Sequence, residues 1–242
     1  MKLQFKHQKF QADAAKAVVD VFAGQPYLTP TYMMDRGLEE GEQQAIATMD
    51  DFTGWRNERI VPELSDKLIL EHLQKVQRTN QIKPSEKLEG RYNLTIEMET
   101  GVGKTYTYIK TMYELNKHYG WSKFIVVVPS IAIREGVYKS FQVTQEHFAE
   151  EYGKKIRFFI YNSAQLTEID RFASDSAINV MIINVQAFNK SVGVSPDRVL
   201  RGSAGIRVRP AAWPCSARCR CRHPSPERSG SLFRSFPCVS LR

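Results

Sequence analysis

The sequence predicts an α/β fold in which a parallel β-sheet is covered by helices on both faces. From residue 93 onward, short strand-like segments alternate with longer helix-like ones, which is the chain order of βαβ units. Residues 124–128 and 180–183 are near-continuous apolar runs, as expected of strands buried on both faces. A glycine-rich turn, residues 100–105, lies between the first predicted strand and a helix, so a ligand is expected at the carboxyl end of that strand.

Two amphipathic helices are predicted before residue 93. Residues 11–22 carry apolar side chains at helical spacing and end near the turn at residues 24–26. Residues 64–76 repeat this spacing through Leu68, Leu70, Leu73 and Val76. Residues 26–92 are interpreted as an insertion before the glycine-rich turn, and residues 27–57 within it give no assignment.

The alternating part of the chain is assigned from its apolar runs and their spacing. Strands are predicted at residues 94–98, 123–128, 157–161 and 179–184. Helices are predicted at residues 104–119 and 131–141. These elements give a doubly wound sheet within a domain that covers residues 1–190.

The turn at residues 100–105, called the glycine loop below, has the composition of a phosphate-binding loop. Gly101 and Gly103 allow positive φ and let backbone N–H groups point inward. Lys104 supplies a charge for the β and γ phosphates, Thr105 a hydroxyl for Mg²⁺, and the following helix its positive end. The alternative is a glycine turn with a surface lysine. The predicted cofactor-binding residues of the loop are Thr100, Gly101, Val102, Gly103, Lys104 and Thr105.

The last 52 residues differ in composition from the rest of the chain. Residues 191–242 contain ten Arg, no Lys, one Asp and one Glu, and so account for the whole formal net charge of +8. The high pI is therefore no argument for nucleic-acid binding by residues 1–190. A segment rich in Arg, Pro, Ser and Cys without a hydrophobic period cannot build a core, so disorder is expected. A zinc site is the weaker alternative, because the spacing of Cys215, Cys219, Cys221 and His223 is irregular.

The beginning of the chain shows no targeting segment. Residues 1–7 lack an apolar h-region, and no apolar run reaches the roughly twenty residues of a membrane span. We therefore expect a soluble, cytoplasmic protein with no membrane partner. The first 190 residues contain no cysteine, which fits a reducing compartment.

Three ordered segments carry a family resemblance. They are residues 98–106, Met-Glu-Thr-Gly-Val-Gly-Lys-Thr-Tyr; residues 123–137, Lys-Phe-Ile-Val-Val-Val-Pro-Ser-Ile-Ala-Ile-Arg-Glu-Gly-Val; and residues 184–189, Asn-Val-Gln-Ala-Phe-Asn. Over residues 3–190 the chain resembles the Res subunit of type III restriction-modification enzymes. Such subunits are similar to superfamily 2 helicases, in which Thr-Gly-x-Gly-Lys-Thr is the usual loop.

The resemblance implies a P-loop, RecA-like first motor domain that uses ATP and Mg²⁺, with Thr105 meeting the metal. It also implies double-stranded DNA and a modification (methyltransferase) subunit as partners. Family members carry a second motor domain followed by a nuclease, and residues that match these are not found in this sequence. By similarity, Gln11 reads adenine, since its amide both donates and accepts. The alternative for Gln11 is a polar helix start.

The resemblance also suggests residues that face DNA. Pro129, Ser130 and Arg134 follow the second strand and correspond to a segment that lies along the DNA backbone, where a hydroxyl and a guanidinium hold phosphates. The alternative is a helix cap at Ser130 with Arg134 on a solvated face. Asn184 and Gln186 correspond to a second such segment, in which Phe188 is equally well a core residue.

Catalytic residues of the family pattern are missing from this sequence. Hydrolysis uses an Asp-Glu pair that ends a later strand, and the chain contains no Asp-Glu dipeptide. Its last apolar strand runs into Asn184, which is uncharged. We therefore expect an incomplete first motor domain, truncated and frame-shifted after about residue 190, without complete catalysis and with an exposed sheet edge that favours aggregation. Three hypotheses compete: a translocase and restriction subunit, a nucleotide-binding module without turnover, and an inert remnant; a P-loop kinase is remote.

Overall fold

The computed structural model describes residues 5–33, 54–90, 92–162, 166–186, 206–209 and 238–241. Within them the helices are α1 (Lys9–Val21), α2 (Asp66–Thr79), α3 (Lys104–Tyr119), α4 (Ile131–Tyr152) and α5 (Leu166–Ser174). The strands are β1 (Thr31–Met33), β2 (Gly54–Arg56), β3 (Lys123–Val128), β4 (Arg157–Ile160), β5 (Asn179–Asn184), β6 (Ile206–Arg209) and β7 (Cys238–Leu241).

A three-stranded parallel sheet with the order β3-β5-β4 lies at the centre of the fold. The chain passes from β3 through α4 to the far strand β4, and then returns through α5 to the middle strand β5. Because these two crossovers run in opposite directions across the sheet, right-handed connections place α4 and α5 on opposite faces. The predicted α/β fold with a parallel sheet covered on both faces is thus present.

Alternate residues of the buried strands enter two separate cores. Phe124, Val126 and Ile182 pack with α3 and α4 on one face. Ile125, Met181 and Ile183 pack with Phe172 of α5 on the other. Since both faces exclude water, all six residues of β3 are buried and the strand contains no exposed polar position.

The predicted helices are found, with one important difference in length. α3 has the predicted bounds, 104–119, while α1 and α2 begin and end within three residues of prediction. α4 was expected to end at residue 141 but continues to Tyr152, because Phe141, Thr144 and Phe148 keep a buried helical stripe. It ends at Gly153, which has φ 67°. The short helix α5 was not predicted.

The strand predicted at residues 94–98 is not present in the structure, so this prediction was wrong. In the described residues this segment belongs to none of the three sheets, and only an isolated bridge between Glu89 and Asn93 precedes it. Leu94 is buried, whereas Thr95 and Glu97 are exposed. The apolar pattern therefore gives one packed face, but a strand also needs a neighbouring strand to complete its ladder.

The insertion before the glycine loop is fastened to the sheet by one buried asparagine. β1 and β2 form an antiparallel pair on either side of residues 34–53, which lie outside the described residues. Next to β2, Asn57 Oδ1 accepts hydrogen bonds from Ser122 N (2.7 Å) and Lys123 N (2.8 Å). Its Nδ2 donates to Lys123 O at 2.8 Å. The insertion thus fixes the first residue of β3.

Two short parts of the Arg-rich tail are described. β6 and β7 pair antiparallel, and β6 lies beside β3. Disorder of the tail as a whole stays a prediction. The rest of residues 191–242 lies outside the described residues, including the candidate zinc ligands Cys215, Cys219, Cys221 and His223. The predicted boundary at residue 190 lies outside them as well.

Among the described helices, none combines the length and the apolar composition needed to cross a bilayer.

Candidate functional site

The glycine loop has the backbone geometry that its sequence predicts. Gly101 and Gly103 both have φ of +84°, a region that is strained for residues with a side chain. Gly103 is also the residue that caps the N-terminus of α3, with ψ 42°. The loop therefore turns directly into the helix, and the unpaired N–H groups and positive end of α3 point out of this turn.

Gln11 is in contact with the glycine loop, although 91 residues separate it from Val102 along the chain. Its Nε2 donates to the carbonyl oxygen of Val102 at 2.8 Å. The Gln11 side chain is 8% exposed, so the amide is held under the loop rather than free in solvent. A Cβ added to Gly103 would lie 2.6 Å from that Nε2, whereas one added to Gly101 would meet nothing within 4 Å.

The loop fits a bound polyphosphate in two respects. Open space lies beside Gly101, and the α3 N-terminus carries no acidic residue in its first turn. Lys104 is half-buried and, among the described residues, has no hydrogen-bond or ion-pair partner. Thr105 is also half-buried. Its hydroxyl, the hydroxyl of Thr100 and the backbone carbonyls are the uncharged groups of this loop that can bind a metal.

Tyr108 lies one turn after the loop and anchors α3 in the core. Its side chain is 4% exposed, and burial raises the pKa of its hydroxyl despite the nearby Thr105 hydroxyl, which lowers it. No described residue makes a hydrogen bond of good geometry to the Tyr108 oxygen. The tyrosine therefore stays neutral at physiological pH and contributes packing to the base of the loop.

The carboxyl edge of the sheet brings the two predicted DNA-facing segments together. Val128 of β3 and Asn184 of β5 are paired in register. Pro129 and Ser130 follow the first strand directly, and Gln186 follows the second, so all four polar or turn residues lie at one edge. Sequence order alone separates these segments by more than fifty residues.

Ser130, Arg134 and Asn184 each make a contact within the described part of the chain. Ser130 caps α4, accepting from Ile133 N at 3.3 Å. Arg134 donates through Nη2 to Glu135 Oε1 at 2.8 Å. Asn184 Nδ2 donates to Gln186 Oε1 at 3.4 Å. DNA contact by these residues stays a prediction, and Phe188 lies outside the described residues.

A line of polar pairs joins α3 to α4, and the sequence analysis missed it. Tyr106 OH lies 2.8 Å from His147 Nε2, Lys110 pairs with Glu151, and Tyr152 OH donates to Glu114 Oε1 at 2.6 Å. Their common feature is helical spacing, since residues 106, 110 and 114 share one face of α3. That spacing was available in the sequence, but nothing in it identified the partner helix.

Burial and nearby charges shift the pKa values of Tyr106 and His147, which belong to these polar pairs. Burial, with a smaller contribution from Glu151, raises the pKa of Tyr106 to about 12. Burial lowers the pKa of His147, an effect that Glu151 opposes and that His7 and Lys110 reinforce. At pH 7 Tyr106 is therefore a neutral phenol and His147 a neutral imidazole.

Comparison with known families gives one match over most of the chain. The family model described as "Type III restriction enzyme, res subunit" matches residues 59–205. This range contains the glycine loop and the whole β3-β5-β4 sheet, extends past residue 190, and begins after Gln11.

Curated relatives match shorter stretches. The EcoPI Res subunit of Escherichia phage P1 is 36% identical over 104 residues, which are 41% of this chain and 11% of the relative. The EcoP15I Res subunit of Escherichia coli is 42% identical over 72 residues, 29% of this chain and 7% of the relative. The StyLTI Res subunit of Salmonella typhimurium strain LT2 is 34% identical over 124 residues, with 44% and 12% covered. The matched part is thus about a tenth of each relative.

Proposed function

Because this chain belongs to the type III restriction enzyme Res subunit family, we propose that its glycine loop binds the phosphates of Mg·ATP. The observation that carries this proposal is the loop itself: two glycines at φ +84° lead into the free N-terminus of α3. Backbone N–H groups in that arrangement attract anions without any side chain. Lys104 adds a positive charge with no competing partner among the described residues.

Lys104, Thr105 and Gln11 each have a separate task in this proposal. Lys104 neutralises the terminal phosphates, and Thr105 directs its hydroxyl to the Mg²⁺ that accompanies them. Gln11 holds the Val102 carbonyl, which keeps the peptide groups on either side of it oriented. When bound, ATP supplies a high-energy phosphoanhydride, and the chain supplies the cradle around it.

Adenine recognition by Gln11 is the finer part of the proposal. Its Nε2 is engaged by Val102, while its carbonyl oxygen can accept from an exocyclic amine such as that of adenine. If the Gln11 amide contacts both Val102 and the base, the conformation of the loop depends on which base is bound. Guanine, which presents a carbonyl at that position, would be left with an unfavourable acceptor–acceptor contact.

We further propose that the sheet is the first RecA-like motor domain of an ATP-dependent restriction subunit that acts on double-stranded DNA with a modification subunit. The family supports this, and so does the meeting of residues 129–130 with Asn184 at the carboxyl edge. Turnover by these 242 residues alone is not expected, since they contain no Asp-Glu pair. Binding without hydrolysis is therefore the activity proposed for this chain.

Nucleotide affinity tests the main proposal. Binding of Mg·ATP is measured by calorimetry and by the shift in melting temperature, for the wild type and for Lys104→Ala. A ligand at one hundred times its Kd adds about 2.7 kcal/mol to the free energy of unfolding. We expect this stabilisation in the wild type and a loss of at least roughly tenfold in affinity without the lysine charge.

Lys117→Ala is the matched control, because Lys117 is exposed and lies at the opposite end of the same helix. It should bind Mg·ATP like the wild type. Equal affinity of the Lys104 and Lys117 variants would contradict the proposal. Release of phosphate that DNA stimulates would instead support the translocase hypothesis, and a wild type without nucleotide affinity would support the remnant hypothesis.

Gln11→Ala separates base recognition from bracing. Its affinity is measured for ATP, GTP and inorganic tripolyphosphate. If Gln11 contacts the base, the variant loses discrimination between ATP and GTP while its affinity for tripolyphosphate changes little. Equal weakening for all three ligands would show that Gln11 only supports the loop.

Double-stranded DNA binding is tested separately by fluorescence anisotropy at two salt concentrations. Arg134→Ala should weaken binding and lower its salt dependence, as expected of a phosphate contact. Glu135→Gln should strengthen binding, because it releases the guanidinium from its present partner. If neither change alters DNA affinity, Arg134 belongs to the solvated face of α4 only.

A further inference from the structure

Three metal-ligating side chains meet away from the glycine loop, where α4 contacts the segment that precedes α1. They are His7, His147 and Glu151, and their ligand atoms all lie within 4.8 Å of one another. His147 and Glu151 are one turn apart on α4, so both project from the same face of that helix. His7 is brought there by the segment before α1, whose Phe5 ring packs on His147 with centroids 5.2 Å apart.

The spacing of these atoms suits a tetrahedral ion. His147 Nε2 lies 3.7 Å from Glu151 Oε2. Two ligands bound to zinc at 2.0–2.1 Å with a tetrahedral angle are about 3.4 Å apart, so a small side-chain movement closes the site. The His7 and His147 rings are tilted by 41° with centroids 5.5 Å apart, which allows both to direct a nitrogen to one point.

The two carboxylate oxygens of Glu151 are already divided between tasks. Oε1 accepts from Lys110, and Oε2 faces His147. An ion can therefore bind Oε2 without breaking the pair between Glu151 and Lys110, although the lysine charge opposes it. On the imidazole, the competitor is Tyr106 OH, which occupies Nε2 in the absence of an ion and must yield that position.

The chemistry of the donors selects the class of ion. Two imidazoles and one carboxylate suit zinc and its neighbours in the first transition row, whereas Mg²⁺ and Ca²⁺ prefer oxygen ligands. Three protein ligands leave a fourth position for water or for the Tyr106 oxygen.

We propose that His7, His147 and Glu151 form a binding site for a zinc-class divalent ion that fastens the segment before α1 to α4. Because that segment leads into α1, which carries Gln11, the ion would hold in place the side chain that braces Val102. No residue of the glycine loop supplies a ligand, so binding of the ion can be measured without nucleotide.

Cobalt and zinc titrations of the full chain, prepared without a histidine tag, test this site. Co²⁺ bound by imidazole and carboxylate gives visible d–d bands without the intense near-ultraviolet band of a thiolate complex. We expect such bands in the wild type, their displacement by Zn²⁺, and a higher melting temperature with Zn²⁺. His7→Ala and Glu151→Gln should each weaken binding by roughly tenfold or more, because a direct ligand matters at least as much as a supporting residue.

The chain contains a matched control. His118 and Glu114 form a second His/Glu pair one turn apart, on α3, with Nε2 and Oε2 3.5 Å apart. Within the described residues no third ligand accompanies that pair. His118→Ala should therefore leave metal affinity unchanged. Lys110→Met should increase affinity several-fold, because it removes the positive charge that opposes the ion.

Two results would overturn the proposal. One is a wild type and His7→Ala variant with the same metal affinity, since His7 is exposed and its loss should not disturb the fold. The other is a Co²⁺ spectrum with a thiolate band that is insensitive to the His7 and Glu151 substitutions, which would assign the ion to the cysteines of the tail.

Discussion

β3 and residues 94–99 are both short segments with buried apolar side chains, and both adjoin α3, yet of these two only β3 is a strand. β3 pairs with β5 through all six of its residues and is buried on both faces. Residues 94–99 join no sheet of the described chain, and their exposure alternates, with Leu94 buried and Glu99 exposed. An apolar pattern thus indicates an extended backbone, whereas a neighbouring strand decides whether the segment becomes part of a sheet.

The largest expected difference between the two segments is in core packing. Ile182 is fully buried in β5 beside β3, and Ile96 is partly buried against the same core. Ile182→Ala should lower the free energy of unfolding by about 2–5 kcal/mol, and Ile96→Ala by about 1 kcal/mol, because less contact area is lost. Urea denaturation measures both.

If Ile182→Ala does not fold, the same pair of positions is compared as Ile→Val, with about 0.5–1.5 kcal/mol expected in β5. Equal effects at both positions would mean that residues 94–99 are packed as tightly as the sheet. The distinction between the two segments would then be lost.

A second effect concerns how the start of β3 is held. Asn57→Ala removes three hydrogen bonds and leaves buried backbone groups of Ser122 and Lys123 unpaired. We expect a loss of about 2–3 kcal/mol in the free energy of unfolding. Asn80→Ala is the control: its amide also donates to a carbonyl, that of Val76, but in solvent, so a much smaller loss is expected. Equal losses of stability in the two variants, measured by thermal unfolding, would argue against a fastening role for Asn57.

The first residue of β3 also makes stability depend on pH. Lys123 is 1% exposed, and its Nζ donates to Phe172 O at 2.5 Å and to Asp175 O. Burial lowers the pKa of Lys123 from 10.5 to about 8; Asp175 opposes this shift and Arg157 adds to it. Between these pH values the unfolded chain binds the proton and the folded chain does not, so stability increases as pH rises.

Lys123→Met should remove this increase, which we expect to be on the order of 2 kcal/mol between pH 8 and 10. Lys139→Met, at an exposed position of α4, should retain it. The free energy of unfolding is compared at several pH values, and the slope is used rather than the absolute value, since the variant also leaves two carbonyls unpaired. A slope that both variants share would assign the pH dependence to other groups.

The smallest expected effect is the difference in stability between alanine substitutions at Gly101 and at Gly103 of the glycine loop. Gly101→Ala should cost about 1 kcal/mol of stability, because alanine is strained at positive φ. Gly103→Ala carries the same strain and also displaces the Gln11 amide. It should therefore cost somewhat more stability than Gly101→Ala and should lower nucleotide affinity more than Gly101→Ala does. A double variant with Gln11→Ala checks this: the extra effect at Gly103 should disappear.

Much of the fold followed from local sequence. The bounds of α3, β3 and β5 were predicted to the residue, because glycines flank α3 at both ends and unbroken apolar runs mark the two strands. α4 was predicted too short, since its second half carries polar residues among the buried Phe141, Thr144 and Phe148. α5 was missed because its nine residues show little beyond a short apolar face.

The candidate site, like the fold, was predicted from the sequence only in part. The glycine loop was identified with its residues, and its positive φ values agree with the reason given for the glycines. The joining of Tyr106 to His147 and of His7 to Glu151 was not foreseen, because no local pattern states which helices will touch. Roles for Gln11 and Arg134 remain predictions that the experiments above address.

Local sequence was enough to place most of the turns, helices and extended segments, since steric limits on φ and side-chain periodicity act within a few residues. Tertiary structure alone decided which extended segments became strands, and that Gln11 meets Val102 across 91 residues. It also decided that residues 129–130 lie beside Asn184 and that His7 reaches α4. These contacts depend on how the two faces of the sheet are covered, and burial of apolar area is a property of the whole chain rather than of any segment.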